Sequence, residues 1–384
     1  MLQVFVKESA YDYAILKKAI FDMIVAIEDT SPVRITAGSR VLIKPNMLAA
    51  AHPDMALTTH PMVIKAVVEY VLEKGAHPQV SDSHATFSKF SKVIEDCGIA
   101  TALNALPAQI KELTESKRVL STRGGVNFAP DSRFNTLELA EDALAADIII
   151  NLPKLKTHTQ MGLTLAVKNL FGCVVGKRKP QWHFNLGENN ELFANLLVTI
   201  YGVLRPEINI IDGILSMEGN GPGTSGIPRH LGVIMGSANA VALDMAICRM
   251  LGLGDMSLPT NKAAHDMGLT SEFTISGEMK SVENFIIPTL SGIVFGPPFA
   301  KKFLRNNLTS HPKNIEGACK LCNECVKICP AQAIENNLRR LHFDYEKCIR
   351  CYCCIEVCPH KAIEVHQPLA MKTIKKIASV FSLK

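Results

Sequence analysis

The feature that most constrains this chain is a duplication near its C-terminus. CKLCNECVKICPAQAIE, from Cys319, repeats as CIRCYCCIEVCPHKAIE, from Cys348, at an offset of 29. Eight identities share that register: four cysteines, the proline after the fourth, and Ala-Ile-Glu beyond it. Each copy reads C-x2-C-x2-C-x3-C-P. Three cysteines at this spacing let one tight loop wrap three corners of a cubane, and the fourth, one helical turn on, points away. Proline fixes φ and removes a donor, which helps turn the chain out of the site. Structural zinc also uses paired C-x2-C, but it takes four ligands per ion and has no use for a doubled triplet.

The chain has 384 residues, enough for two or three domains with a sizeable core, and 47% of it is apolar. Nine of its twelve cysteines lie between Cys319 and Cys358; the others are Cys97, Cys173 and Cys248. That clustering argues against a disulfide framework spread over a secreted fold. The N-terminal run MLQVFVKESAYDYAILKK has no basic start followed by a long apolar stretch, so no signal peptide is read. The most apolar window, LGVIMGSANAVALDMAICRML, is broken by Asn239, Asp244 and Arg249 and does not read as a membrane span. The formal charge is +5, and the last sixteen residues, LAMKTIKKIASVFSLK, hold four lysines and no acid. The body is therefore nearly neutral, and no nucleic-acid surface is expected, since that needs a broad basic face. The expected setting is reducing and cytoplasmic.

The cysteine run resembles the two-cluster ferredoxin family over about fifty residues. The resemblance implies two [4Fe–4S] clusters and one-electron transfer at low potential. Because the fourth cysteine crosses over, one cluster takes Cys319, Cys322, Cys325 and Cys358. The other takes Cys348, Cys351, Cys354 and Cys329. Cys353 aligns with Glu324 of the first copy and is left as a bystander.

Residues 1–300 read as α/β. VRITAGSRVLIKPN ends a strand at Lys44, Pro45 and Asn46. THPMVIKAVVEYVLEKGA is an amphipathic helix stopped at Gly75, and PQVSDS is a short strand ending at Asp82. ADIIINLPK is another strand, EINIIDGIL runs into the glycine-rich SMEGNGPGTSG, and HLGVIMGS precedes the helix VALDMAICRMLG. Strands alternating with helices predict a mainly parallel sheet with helices on both faces. The fold class expected is thus α/β, plus a small α+β ferredoxin-like domain. The domain plan is 1–300 α/β, 301–315 linker, 316–367 two-cluster domain and 368–384 basic amphipathic tail.

The runs KPN, NLPKLKTH, KNLFG, DGILSMEGNGP and ANAVALDMA resemble the proteins grouped as domain of unknown function 362, across most of residues 38–253. Members often carry a ferredoxin module. The resemblance supports one shared site and brings no assigned reaction.

In open α/β sheets ligands bind beyond the carboxyl ends of the strands. Lys44, Asn46, Asp82, Lys154, Lys156, His158, Asp212 and Glu218 are expected there, with Lys168 opening KNLFG. Converging ammonium groups repel unless an anion lies between them. Lys44, Asn46, Lys156 and Lys168 are therefore candidate ligand-binding residues for a carboxylate or phosphate, against the plain reading of solvated loop lysines. Gly219 and Gly221, with Gly223 and Gly226, either bring backbone N–H groups to a phosphate or form a flexible turn. Lys154, His158, Asp212 and Glu218 are candidate catalytic residues, His158 for proton transfer and the two carboxylates as general acid, general base or metal ligand, and Asp212 alternatively caps a turn. His183 is a further candidate proton carrier. Cys173 reads as a buried inert thiol, and Asp244 pairs with a base inside the fold or reaches the site.

In the linker Pro297, Pro298 and Pro312 break regular structure, while Phe295, Phe299 and Phe303 suggest packing. In the tail Met371, Ile374, Ile377, Ala378 and Phe381 recur at helical spacing, with Lys372, Lys375 and Lys376 elsewhere. Its shortness and lack of a second anchor favour docking on the protein's own body over membrane-surface contact. The function these readings favour is a reductase, in which the clusters exchange electrons with an anionic small molecule in the α/β domain. The alternatives are an electron-transfer adaptor between partner redox proteins and a redox-sensing module. No flavin or nicotinamide fingerprint is visible; a further flavin or metal in the α/β domain stays open.

Overall fold

The computed structural model describes residues 2–84, 89–176, 178–187, 189–288, 309–337 and 340–368. The tail from 369 onward, and the linker with its Pro297, Pro298 and phenylalanines, lie outside the described residues up to 308. Strands are numbered along the chain: β1 Leu2–Glu8, β2 Arg40–Pro45, β3 His77–Asp82, β4 Gln109–Glu112, β5 Ser116–Leu120, β6 Thr122–Arg123, β7 Val126–Asn127, β8 Thr136–Ala140, β9 Ile148–Leu152, β10 Lys154–His158, β11 Gly162–Thr164, β12 Ile208–Gly219, β13 Gly226–Ser237, β14 Phe273–Ser276, β15 His311–Asn314, β16 Ile334–Asn336, β17 Leu341–Phe343 and β18 Ile363–His366.

A ten-stranded sheet runs β14-β1-β13-β12-β9-β2-β3-β4, with β10 also on β12 and β11 on β10. The pairs β1–β14, β12–β9, β9–β2, β2–β3, β3–β4 and β10–β12 are parallel. β13 is antiparallel to β1 and β12. Only residues 220–225 join β12 to β13, too few for the crossover that a parallel neighbour requires. Side chains alternate across the sheet with period two. Val41, Ile43, Ile148, Ile150, Ile210 and Ile234 enter one core, beside the helices Tyr13–Thr30 and Pro61–Glu73. Leu42, Ile149, Ile211 and Met235 enter the other, beside the helices Asn190–Leu204 and Ala240–Met250. Both faces are apolar because both are covered, as parallel sheets require.

Pro153 divides what would be one strand. It has no N–H to donate, so β9 stops at Leu152. Its carbonyl still accepts from the Asp212 N–H at 2.9 Å. The chain resumes as β10 along the far half of β12, with Lys154 opposite Asp212 and Lys156 opposite Met217. This corrects the expectation that Lys154, Lys156 and His158 lie beyond a strand end. They are part of a strand, and all three are buried.

The C-terminal unit is framed by two antiparallel pairs, β15 with β18 and β16 with β17. β15 falls inside the expected linker, so this unit begins by His311 and not at 316. The duplication is written into its backbone. Leu321 and Arg350, Asn323 and Tyr352, and Gln332 and Lys361 occupy matching positions, and all six have positive φ, between 49° and 65°. Non-glycine residues adopt that region rarely, so its repetition marks two copies of one loop.

Asp244 neither pairs with a base nor reaches the site. The helix Ala166–Asn169 is a single turn, too short to hold itself, and Leu165 gives it no side-chain cap. Asp244 accepts from the N–H groups of Ala166 and Val167 at 2.8 and 3.1 Å and supplies that cap from the neighbouring helix. Burial pushes its carboxyl up to about 7 in spite of these donors. The native state thus holds a proton that the unfolded chain releases near 3.8. The stability linked to that proton is present below about pH 4 and lost as pH rises through about 7. Wild type is expected to lose melting temperature relative to Asp244→Asn between those limits. Thermal scans with the two curves parallel across the range would contradict this.

Candidate functional site

A cavity of about 470 Å³ lies where the two units meet. One wall belongs to the α/β domain and includes Asn46, Lys156, His158, Thr164, Lys168, Lys179 and His183. The facing wall is Ile328, Cys353, Glu356 and Val357 of the C-terminal unit. Ile328 precedes Cys329, while the other three lie among Cys351, Cys354 and Cys358. The volume and mixed lining suit a small organic ligand.

The polar wall is held by a buried amide chain. Asn209 Oδ1 accepts from Asn151 Nδ2, and Asn151 Oδ1 accepts from Asn169 Nδ2, at 2.9 and 2.8 Å. Asn169 Oδ1 accepts from Asn46 Nδ2 at 2.9 Å, and Asn46 Oδ1 accepts from Lys156 Nζ at 2.8 Å. Lys156 also donates to the Leu57 carbonyl. Burial brings its ammonium down to about 7. Lys44 stands behind this wall, 3.0 Å from Asp82 Oδ1 and donating to the Pro45 carbonyl at 2.9 Å. Gly172 packs so closely on this pair that a Cβ there would strike Asp82 and Lys44.

His158 Nδ1 accepts from the N–H groups of Gln160 and Met161, each at 3.2 Å. The ring proton therefore sits on Nε2, which lies 3.1 Å from Glu356 Oε1. Burial pulls the ring down to about 4, so His158 is neutral near pH 7. Both nitrogens are committed, which makes His158 an anchor for Glu356 and not a free acid or base. Other acids of the wall are also met: Asp82 by Lys44, and Glu112 by His84 Nδ1 at 3.0 Å. Lys179 donates to the Ser83 carbonyl. Lys168 lies 6.0 Å from the Phe193 ring centroid. Neither Lys168 nor Lys179 has a carboxylate partner among the described residues.

Three expected site groups are elsewhere. Lys154 pairs with Asp212 at 2.8 Å inside a separate buried cluster with Tyr11. Glu218 is held by Arg229 at 2.7 Å and by the Ile286 N–H. The glycine loop does not offer its amides to an anion. Gly219 N–H donates to Ile286 O at 2.7 Å, and Gly221 N–H to Gly219 O at 2.9 Å and Thr157 Oγ1 at 3.2 Å. The loop instead seats the C-terminal unit. Thr224 Oγ1 donates to Cys358 O at 2.7 Å, and Gly223 lies against the Glu356 backbone. Cys173 is buried and its thiol pushed up to about 12 by burial, as an inert core thiol would be. His183 does line the cavity.

Lys179, Thr164, His84, Glu112 and Glu356 escape the sequence reading. Glu356 had a signal: in the repeat register it stands where the first copy has Lys327, just as Cys353 stands where it has Glu324. The second copy departs from the first on the side that faces the cavity.

The cysteines sort as the crossing rule requires. A small space is lined by Cys319, Cys322, Cys325 and Cys358. Burial and then Cys358, Cys322 and Cys319 push the Cys325 thiol up to about 12. Burial and then Cys351, Cys348 and Cys329 raise Cys354. Each quartet combines three cysteines of one copy with the fourth of the other. Four thiols crowded together repel as thiolates unless cations sit among them, and among the described residues no three close on a single metal ion. A donor set spread around a space fits a cubane better than zinc. Ala333 and Ala362 donate N–H groups to Cys329 and Cys358 Sγ, both at 3.3 Å. Such bonds tune a cluster's potential.

The class this defines is an iron–sulfur protein whose two-cluster ferredoxin unit closes over a cavity in a mainly parallel α/β domain. Residues 41–249 match the domain of unknown function (DUF362), and the chain belongs to that family. Residues 311–359 match the 4Fe-4S dicluster domain, so the unit carries two [4Fe–4S] clusters. A thylakoid-associated protein (sll1697) of Synechocystis sp. is 39% identical over 269 residues, covering 68% of this chain and 80% of that one. The lactate racemase apoprotein from Thermoanaerobacterium thermosaccharolyticum aligns over 62% of this chain and 54% of its own, with 12% identity and a TM-score of 0.38, too loose a likeness to bear on function. No helix among the described residues is long and apolar enough to cross a membrane.

Proposed function

We propose that the protein is a reductase of an anionic small molecule bound in the junction cavity, fed by single electrons from its two clusters. The observation that carries this reading is the shared cavity. Its lysine-bearing wall, where Lys168 and Lys179 make no ion pair among the described residues, faces the segment between Cys351 and Cys358. An adaptor has no need of such a space. Cys322 is exposed, whereas Cys348, Cys351 and Cys354 are buried. The cluster of Cys322 is thus the side for a partner redox protein, and the cluster of Cys351 the side for the cavity. A two-electron reduction takes up two protons. Lys156, a cavity-wall ammonium brought down to about 7 by burial, is suited to supply one.

Lys168→Met removes the cation while keeping a flexible apolar stem. It is expected to weaken binding of an anionic ligand by about ten- to hundred-fold, the worth of a charged hydrogen bond. Iron is expected to stay at about eight per chain. Anaerobic purification, mass spectrometry of the extracted ligand and iron counts measure both. An empty cavity in the wild type, with eight irons, would turn the reading toward the adaptor.

A further inference from the structure

Two side chains on the cavity wall lack something to bind. Thr164 Oγ1 and His183 Nδ1 are buried and have no hydrogen-bond partner among the described residues. Thr164 is 4% exposed and His183 7%. A buried polar atom left unpaired is destabilising, and native proteins leave few of them. Both residues line this one cavity.

Each stands beside a lysine. Thr164 is directly opposite Lys156 in the antiparallel β10–β11 pair, so the two side chains share a face of the hairpin. His158, two residues along, has the same face and touches Glu356. His183 lies tilted against Phe193, with ring centroids 4.6 Å apart, and Lys168 also overlies that ring. Burial holds the His183 ring down to about 3, so it meets a ligand as a neutral imidazole. The cavity thus has two polar stations. One has Lys168 and His183 on the helical wall. The other has Lys156 and Thr164 on the hairpin floor.

Building on the reductase reading, we infer that the ligand is a bifunctional acid: its carboxylate or phosphate sits at Lys168 and His183, and a neutral carbonyl or hydroxyl oxygen sits at Lys156 and Thr164. The apolar walls, among them Phe171, Val175 and Ile328, take the carbon body between them. Thr164 is the specificity residue here. It chooses among acids, while Lys168 and His183 choose acids over neutral molecules.

The test uses the full chain with both clusters, purified without oxygen, and calorimetry with paired acids of three to nine carbons. Each pair has one body, with and without a 2-oxo group, such as phenylpyruvate and 3-phenylpropionate. The oxo acid is expected to bind roughly ten-fold or more tightly than its partner, since it satisfies an otherwise unpaired hydroxyl. T164V, nearly isosteric, is expected to shrink that preference to about two-fold, with T164S restoring most of it. H183F is expected to weaken both members of a pair alike. Iron counts identify any variant that fails to fold, and T164A, which also lacks the hydroxyl, then carries the comparison. Equal affinities within every pair in the wild type would overturn the bifunctional ligand and show that water satisfies Thr164, leaving the anion site standing. A T164V protein that keeps the full preference would also overturn it. Absence of binding by every acid would overturn both this inference and the reductase reading.

Discussion

Gly223→Val is expected to leave both clusters in place and yet stop the cavity from drawing on them. A Cβ at Gly223 would lie 2.7 Å from the Glu356 carbonyl oxygen and 2.9 Å from its Cα. Both are backbone atoms, so no side-chain rotation relieves the clash. The larger valine must push the segment carrying Glu356 away from the β12–β13 loop. Two contacts across the junction then fail together: Thr224 Oγ1 to Cys358 O at 2.7 Å, and His158 to Glu356 at 3.1 Å. The cysteines themselves are untouched. Iron content and the cluster spectra should match wild type, and an artificial acceptor should still be reduced at the exposed Cys322 side. Ligand-dependent oxidation of the reduced clusters should fall to the rate without ligand, because the two cavity walls no longer meet. Stopped-flow absorbance under anaerobic conditions reads this directly. Wild-type rates in the variant would mean that the junction does not carry the electrons. Lost iron would mean that the glycine loop serves the folding of the cluster unit.

The parts of this architecture legible in the sequence are those encoded locally. The cluster cysteines occur within two short runs of fixed spacing, and the crossing of the fourth cysteine follows from that spacing. The strands around Lys44, Asp82 and Ile149 were legible because apolar runs with turn residues at their ends are also local signals. The cavity was only half legible. Its wall gathers residues from the turn after β2, from β3, β4, β10 and β11, from three helical segments and from both cysteine runs, and no local pattern records that meeting. KLKTH shows the difficulty well. Polar residues alternate there with period two, a strand signature, but lysines on a strand next to a proline read as surface. What buries them is the carboxylate, amide and carbonyl partners supplied from distant segments. The glycine loop misled for a related reason. Small residues permit close approach, and the sequence does not say whether a phosphate or another stretch of backbone will approach. Here it was backbone.

Asp212→Ala is expected to be among the most destabilising changes in the α/β domain, while barely altering the affinity for an acid. Asp212 accepts from Lys154 Nζ and Tyr11 Oη, both at 2.8 Å, and from the His60 N–H at 2.9 Å. Lys154 and Asp212 are fully buried. Burial raises the Asp212 carboxyl, and Lys154 with these donors more than reverses that, leaving it below the ordinary range. Without the carboxylate, Lys154 is a buried cation with only Tyr11 beside it. Breaking such a pair from one side typically costs about 3–5 kcal/mol, whereas replacing both partners by apolar groups is often close to neutral. Lys154→Met with Asp212→Leu should therefore recover most of the melting temperature that Asp212→Ala loses. The pH dependence has a definite sign. A carboxyl depressed in the folded state stabilises above its unfolded pKa, and that stability disappears as pH falls through the folded one. Wild type should lose this advantage over Asp212→Ala in acid. The contrast with Lys168→Met then separates two kinds of lysine in one short region. Lys168 is expected to be dispensable for the fold and needed for the ligand; Lys154 is expected to be needed for the fold unless its partner is removed too. Should the Lys154→Met, Asp212→Leu protein fold normally and yet lose acid binding or turnover, the buried pair belongs to the chemistry after all.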